Sequence, residues 1–258
     1  MPQLCLRGKF IGSVKAILFD KDGTLVDSEK RLIALSQLRV KEAINVYKKI
    51  SNSASAISKL KQFLYSAYGF SPQGIKANGS MAIASRSDNL ISTATVFSIL
   101  GESWPKSLLL ANQVFLAVDN ILDSSSKPSH ASQLLPGAEK LLQSLKSSGI
   151  YLGLISNDTK EGISKFLRIN NLEEVFDSFW SAEHYPPKPS PDAAIGLCKT
   201  LEAKSSECAL IGDADSDLLM ARKSNIKIVL GYTAGWTSQP LLYEHDHLIH
   251  HWDELNIQ

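Results

Sequence analysis

The chain has 258 residues, 44% of them apolar, which is enough for one large domain or two smaller ones with buried cores. Lysine and arginine number 27 against 26 aspartates and glutamates, a formal net charge of +1. This balance gives no electrostatic argument for a nucleic-acid or anionic-membrane partner. We therefore expect a small-molecule substrate.

The cysteines favour a reducing compartment, because Cys5, Cys198 and Cys208 are odd in number, widely spaced and form no CxxC pair. No stretch reaches the roughly 18 apolar residues of a membrane span. The first thirteen residues lack the apolar segment of a signal peptide. We expect a cytoplasmic protein without a membrane span; a short organellar address is the open alternative, and the oligomeric state cannot be read from the sequence.

The first predicted strand is the apolar run Val14 to Phe19, and it ends at the sequence Asp20-Lys21-Asp22-Gly23-Thr24. In α/β folds the reactive groups lie at the carboxyl ends of strands. Asp20 is placed to act as a nucleophile, Asp22 as an acid and base, and Gly23 lets backbone N–H groups turn toward an anion. The spacing predicts phosphoryl transfer through an aspartyl phosphate.

The interval 26–133 shows helical periodicity and no convincing strand, which predicts a helical domain inserted into the chain. The polar segment Ser124 to Ser129 is the predicted return linker. We therefore assign residues 1–25 and 134–258 to an α/β core and 26–133 to a helical cap.

The second half of the chain alternates between helices and strands. A helix is predicted from about Pro136 to Ser148, and another begins at Ser190-Pro191 with Ile195, Cys198 and Leu201 facing inward. Apolar runs predict three further buried strands, with an edge strand at Ser178–Ser181: Ile150–Ile155, Cys208–Ile211 and Ile226–Leu230. This order predicts a doubly wound parallel sheet, a Rossmann-like α/β fold.

Polar residues follow these strands where they should end. Ser156 and Asn157 follow the second strand, Lys188 lies between two prolines, and Asp213 and Asp217 follow the third strand. A nucleophile, a hydroxyl, a cation and an acidic cluster together suit phosphoryl transfer. Each has an alternative interpretation when taken singly: a turn for the Asp-Gly pair, a helix cap for Ser156 and a solvated loop cation for Lys188.

At these positions the chain resembles the haloacid-dehalogenase-like superfamily, and within it the phosphatases related to phosphoglycolate phosphatase. The first motif is Asp20 to Ser28, the second is Ser156, the third is Lys188 with Pro189, and the fourth is Gly212-Asp213 with Asp217. Lys21 occupies a position that the family fills variably. The motifs occur in family order across essentially the whole chain, and the helical insertion lies where that branch carries its cap.

The resemblance implies a role for each matching residue. Asp20 would attack phosphorus, and Asp22 would protonate the leaving oxygen and then activate water. Mg²⁺ would be held by Asp20, the Asp22 backbone carbonyl and Asp213, with Asp217 as ligand or support, and these oxygen ligands suit a hard cation. Phosphoryl oxygens would be bound by a further set of groups: Lys188, Ser156, Asn157 and the amides of Gly23 and Thr24.

Two other features carry weaker interpretations. Arg86 is a candidate for bidentate binding of a substrate carboxylate, although a solvated surface arginine is the interpretation we favour. The histidines between His245 and His251 lack metal-site spacing and read as surface or structural residues.

The leading hypothesis is a Mg²⁺-dependent phosphatase for a small phosphorylated metabolite, with 2-phosphoglycolate as the first candidate. A sugar-phosphate mutase of the β-phosphoglucomutase-like branch uses the same aspartyl phosphate and remains an alternative. A dehalogenase needs neither Asp22 nor a metal site, so Asp22 and Asp213 count against it. A catalytically silent phosphate-binding module is the weakest alternative, because every residue type that catalysis needs is present.

Overall fold

The computed structural model describes residues 1–71, 74–124 and 133–258. The chain divides into two compact units, a core unit of Met1–Ser28 with Ser132–Gln258 and a helical unit of Glu29–Ala131. Of the predicted linker, only Ser124 belongs to the described residues, as the last residue of a helix.

The described strands and helices alternate along most of the chain. The strands are β1 (Gln3–Leu6), β2 (Lys9–Ser13), β3 (Ala16–Phe19), β4 (Phe70–Ser71), β5 (Gly74–Ile75), β6 (Tyr151–Ile155), β7 (Ser178–Trp180), β8 (Cys208–Gly212), β9 (Ile228–Tyr232), β10 (His247–Ile249) and β11 (Leu255–Ile257). The helices are α1 (Glu29–Tyr47), α2 (Ala54–Tyr68), α3 (Ser80–Ile83), α4 (Arg86–Ile99), α5 (Trp104–Ser124), α6 (Ala138–Ser147), α7 (Lys160–Ile169), α8 (Pro191–Thr200) and α9 (Asp215–Lys223).

The core unit is built on a six-stranded sheet in the order β10-β9-β8-β3-β6-β7, and all of its strand pairs are parallel. Strand β3 is buried along its whole length. Ile17 and Phe19 pack into the core cluster on one face of the sheet, and Ala16 and Leu18 into the cluster on the other. Because both faces are covered, the strand is apolar throughout. The predicted doubly wound α/β fold is confirmed.

Two predicted helices of the core unit differ in detail from the structure. Helix α6 begins at Ala138, after Gly137 in the left-handed region at φ 86, so Pro136 precedes the helix and does not form its first turn. The buried face of α8 consists of Ala193, Ala194, Leu197 and Cys198. Ile195 is only partly buried, because it lies beside that face and not on it.

A second sheet joins the two ends of the core unit in the order β11-β1-β2, with both pairs antiparallel. Its inner residues Leu4 and Leu6 belong to the main core cluster. The sequence pattern predicts no element here. In the C-terminal segment, β10 is an edge strand of the main sheet, and Ile249 and Trp252 are buried.

The helical unit contains α1 to α5 with a short antiparallel pair of strands, β4 and β5. That pair corrects the expectation that the insertion has no strand. Helix α2 begins at the side-chain cap Ser53, and α4 begins with a capping box between Ser85 and Asp88. Of the helices within the described residues, none combines the length and apolar composition needed to cross a bilayer.

Candidate active site

Three carboxylates meet at the carboxyl edge of the main sheet. Asp20 follows β3, Asp213 follows the neighbouring β8, and Asp217 lies in the first turn of α9. One carboxylate oxygen from each residue lies within 4.8 Å of those of the other two, and all three residues are buried. Adjacent parallel strands end at the same edge of a sheet, which explains why residues so far apart in sequence converge.

Lys188 joins this cluster from the loop between β7 and α8. Its Nζ lies 2.6 Å from Asp20 Oδ1 and 2.8 Å from Asp217 Oδ1, and it also donates to the Ile155 carbonyl at 3.4 Å. The side chain is 5% exposed, so it is not a solvated loop cation. The third predicted motif therefore lies beside the first and the fourth.

The cluster carries more negative than positive charge in a buried place. Burial raises the pKa of Asp20 to about 6; Lys188 opposes this shift and the neighbouring Asp217 adds to it. The pKa of Asp213 is raised well above its ordinary value, first by burial and then by repulsion from Asp20 and Asp217. The pKa of Lys188 is raised by the same two carboxylates in spite of burial. Three carboxylates outnumber one ammonium, so a further cation would compensate the remaining negative charge. Because all the ligand atoms are oxygens, the residues suit a hard divalent ion such as Mg²⁺.

The turn after β3 supports Asp213 through a hydrogen bond that the sequence pattern does not predict. The hydroxyl of Thr24 donates to Asp213 Oδ1 at 2.8 Å. The N–H of Gly23 donates to the Val26 carbonyl at 3.0 Å and closes the turn. The Gly23 amide thus has a partner within the turn, and its predicted role toward phosphoryl oxygens stays a prediction.

Trp236 is a site residue that sequence reasoning missed. Its indole Nε1 donates to Asp213 Oδ2 at 2.6 Å, and both groups are buried. Trp236 follows β9, which lies beside β8 in the sheet. The strand-end rule that selected Asp20 and Asp213 could have found it, had it been applied to the segment Thr233–Trp236.

Asp22 is held by two neighbours. The ammonium of Lys21 lies 2.9 Å from Asp22 Oδ2, and the hydroxyl of Ser28 donates to Asp22 Oδ1. Lys21 is buried and also pairs with Asp158 Oδ2 at 2.8 Å. The variable position of the first motif thus contributes a second buried cation to the site.

Ser156 follows β6 as predicted and is buried. Its Oγ accepts the N–H of Asp158 at 3.2 Å, and its own N–H donates to the Trp180 carbonyl at 2.9 Å. The cap of α7 is Thr159, whose hydroxyl accepts the N–H of Gly162 at 3.0 Å. The helix-cap interpretation of Ser156 is therefore wrong. Asn157 lies between Ser156 and this cap, and its predicted role toward phosphate stays a prediction.

Arg86 and Asp215 use their charged groups in contacts of their own. Arg86 belongs to the helical unit, where its half-exposed side chain pairs with Asp119 and lies over the ring of Phe115. Its role as a carboxylate clamp stays a prediction. Asp215 is half-buried, and its Oδ1 accepts the N–H groups of Tyr243 and Glu244 at 2.7 and 3.3 Å.

The C-terminal histidines take part in local contacts. His250 Nδ1 shares a hydrogen bond with the Thr233 hydroxyl at 2.6 Å, and His251 Nδ1 lies 3.3 Å from Asp253. Within the described ranges, Asp20, Asp213 and Asp217 form the one group with metal-site geometry.

A parallel α/β sheet with buried carboxylates, a lysine and a serine at its carboxyl edge defines an enzyme active site in a doubly wound fold. Residues 14–225 match the model of the haloacid dehalogenase-like hydrolases, and the chain belongs to that family. The predicted family is thus confirmed.

Curated relatives and solved structures agree with the family assignment. The chain is 24% identical over 226 residues to a phosphoglycolate phosphatase of Vibrio parahaemolyticus (86% of each chain) and 27% identical over 223 residues to one of Nitrosococcus oceani (85% of each). A predicted phosphoglycolate phosphatase from Haemophilus somnus shares the fold with a TM-score of 0.62 at 18% identity, covering 92% of this chain and 94% of that one. A β-phosphoglucomutase from Clostridium difficile gives 0.59 at 18% identity, covering 93% and 92%. The family model and the phosphatase relatives identify the chain as a phosphoric monoester hydrolase.

Proposed function

We propose that the protein is a Mg²⁺-dependent phosphatase that hydrolyses a small phosphorylated acid through an aspartyl phosphate on Asp20. The observation that carries this proposal is the buried Asp20 carboxylate, which lies 2.6 Å from Lys188 and within the carboxylate cluster of Asp213 and Asp217. A nucleophile at the end of a central strand, beside a cation and a candidate metal site, is suited to attack phosphorus.

Asp20 would form a covalent acyl phosphate as the bond from phosphorus to the leaving oxygen breaks, and its attack requires that the negative charges of carboxylate and phosphate be compensated. Lys188 supplies one such charge directly at the nucleophile. Bound Mg²⁺, held by Asp20, Asp213, Asp217 and the Asp22 backbone carbonyl, would supply the rest by polarising the phosphoryl oxygens. Ser156, Asn157 and the Thr24 amide would orient those oxygens.

Asp22 would donate a proton to the leaving oxygen and then take one from the attacking water. Its carboxylate is held between Lys21 and Ser28, so it has a defined orientation before substrate arrives. Preorganisation of this kind lowers the reorganisation needed during proton transfer.

For the substrate we propose 2-phosphoglycolate or a similar phosphorylated acid. The names of the relatives from Vibrio parahaemolyticus and Nitrosococcus oceani support this choice. The proposed cytoplasmic location rests separately on Cys5, Cys198 and Cys208, which are all free and buried.

The experiment measures phosphate release from 2-phosphoglycolate and from p-nitrophenyl phosphate, with Mg²⁺ and with a chelator, for the wild type and for Asp20→Asn. We expect Mg²⁺-dependent release by the wild type and none by the variant, and beryllofluoride should label Asp20. Conversion of a hexose 1-phosphate to its isomer without phosphate release would favour the mutase. Equal inactivity of both proteins would favour a phosphate-binding module, and full phosphate release in chelator would contradict the proposed dependence on Mg²⁺.

A panel of phosphorylated two- and three-carbon acids, hexose phosphates and nucleoside monophosphates, ranked by kcat/KM, tests the substrate class. Arg86→Ala in the same panel tests the carboxylate clamp. An unchanged ranking would remove Arg86 from the proposal.

A further inference from the structure

Asp213 differs from the other two carboxylates of the cluster in the groups that hold it. Its Oδ1 accepts the Thr24 hydroxyl at 2.8 Å, and its Oδ2 accepts the Trp236 indole at 2.6 Å. Both donors are neutral, whereas Asp20 and Asp217 share the ammonium of Lys188. Both oxygens of Asp213 are therefore fixed in direction by neutral donors.

The contact between Trp236 and Asp213 depends on two glycines. Gly23 has φ +85, and a Cβ there would lie 2.5 Å from Trp236 Nε1 and 2.4 Å from Asp213 Oδ2. A Cβ on Gly235 would lie 1.6 Å from the Gly23 carbonyl oxygen. The turn after β3 and the loop after β9 thus pack backbone against backbone, and this close approach brings the indole to the carboxylate.

The chemistry of the indole suits this place. It is a donor only, so it cannot compete with the carboxylate for a cation, and a buried N–H needs an acceptor. One hydrogen bond to each carboxylate oxygen leaves a lone pair on each for a metal ion. Groups that orient metal ligands in this way commonly change metal affinity by about 10- to 100-fold.

We propose that Trp236 is a positioning residue for the divalent cation, holding Asp213 in the orientation that binds it. This inference rests on the proposed metal dependence of the enzyme. Thr24 acts on the opposite oxygen of the same carboxylate, and Lys188 controls the other two carboxylates. The loop after β9 therefore contributes to the active site through Asp213.

The test measures Mn²⁺ binding by counting free Mn²⁺ with electron paramagnetic resonance, so that no turnover is needed. We expect Trp236→Phe to raise the Mn²⁺ dissociation constant by about tenfold or more, and Thr24→Val to raise it as well. The matched control is Trp252→Phe. Trp252 is a buried indole of the same unit whose Nε1 has no hydrogen-bond partner among the described residues. This control should leave the dissociation constant unchanged.

A second measurement follows the wild type, and variants serve only to assign its resonances. The ¹⁵N-labelled indole N–H groups of Trp104, Trp180, Trp236 and Trp252 are followed by NMR during a Mg²⁺ titration. The Trp236 resonance, assigned by substituting the other three, should show the largest shift.

Equal Mn²⁺ affinity of folded Trp236→Phe and the wild type, or an indole resonance that does not respond to Mg²⁺, would overturn the inference alone. Failure of the wild type to bind Mn²⁺ would overturn both the inference and the proposed metal dependence.

Discussion

The ammonium of Lys21 lies 2.8 Å from Oδ2 of Asp158 and joins the turn after β3 to the loop after β6. The same Nζ lies 2.9 Å from Asp22, and Lys21 is almost fully buried. A buried cation that bridges two carboxylates from different strand ends fixes both of them. In the proposed mechanism Asp22 transfers protons, so Lys21 determines where its carboxylate lies.

Replacing Lys21 by Met should lower kcat by roughly 10²-fold, because Asp22 loses the charged one of the two partners that orient it. The free energy of unfolding should fall by about 1–3 kcal/mol, since the two carboxylates keep some access to water. Steady-state kinetics and urea unfolding measure the two effects. A double-mutant cycle with Asp158→Asn provides the control: a coupling energy of zero would show that the pair seen in the structure does not act in solution.

Lys188→Met should lower the free energy of unfolding by more than Lys21→Met does. It leaves Asp20 and Asp217 without their shared cation, and removing one member of a buried ion pair costs about 3–5 kcal/mol. Mg²⁺ should recover part of this loss, because it compensates the same charges. Calorimetry in chelator and in Mg²⁺ measures both effects.

The matched control is Lys146→Met. Lys146 forms a 2.7 Å ion pair with Asp177, but their side chains are 34% and 25% exposed. Lys146→Met should lower the free energy of unfolding by less than about 1 kcal/mol. Similar losses for the two variants would contradict the role that we assign to burial.

The stabilisation by Mg²⁺ should depend on pH through Asp20. Its pKa is raised from 3.8 to about 6, so between these values the folded chain holds a proton that the unfolded chain has lost. This group's contribution to stability is present in full below the lower value and is lost as the pH rises through about 6. Mg²⁺ and the proton compete for the carboxylate. The rise in Tm on adding Mg²⁺ should therefore be small near about pH 5 and largest above about pH 7.

Thermal unfolding with Mg²⁺ and with chelator across this range gives the measurement. Asp20→Asn should flatten the dependence. A Mg²⁺ effect of equal size at both ends of the range would argue against a raised pKa for Asp20.

Gly23→Ala should be far more destabilising than Gly149→Ala. The two glycines have similar backbone conformations, φ +85 and φ +76, but a Cβ at Gly149 would meet nothing within 4 Å. Left-handed backbone alone costs about 1–2 kcal/mol in an alanine. Gly23→Ala adds a clash with Asp213 and Trp236, and overpacking of this kind costs a further 1–3 kcal/mol or so. Urea unfolding of both variants separates the cost of the left-handed backbone from the cost of the clash. Equal losses of unfolding free energy would show that the close packing is not required.

The sequence predicted the parts of the protein that depend on local patterns. The buried strands β3, β6, β8 and β9 are short apolar runs, and Asp20, Ser156 and Asp213 follow their ends. The parallel arrangement then brings Asp20 and Asp213 together without further information. Lys188 lies in a loop, and its place beside Asp20 was available only through the family resemblance.

Other parts depend on contacts between distant segments. Strand β1 pairs with β11 across almost the whole chain, and neither has a periodic pattern long enough to identify it. Trp236 and Thr24 act through hydrogen bonds to Asp213, which composition and spacing do not reveal. Gly23 was assigned to anion binding because a glycine after a strand fits that role as well as it fits close packing.

The discontinuous core unit has a consequence for synthesis on the ribosome. Residues 16–19 pair with residues 151–154 and 208–211, whereas the helical unit is contiguous. Because the amino-terminal part of a nascent chain emerges first, the helical unit can fold while β3 is still without partners. Ala16–Phe19, buried along its entire length in the finished protein, is then an exposed apolar strand for much of translation. A chaperone that covers apolar segments of the nascent chain would therefore protect this segment in particular.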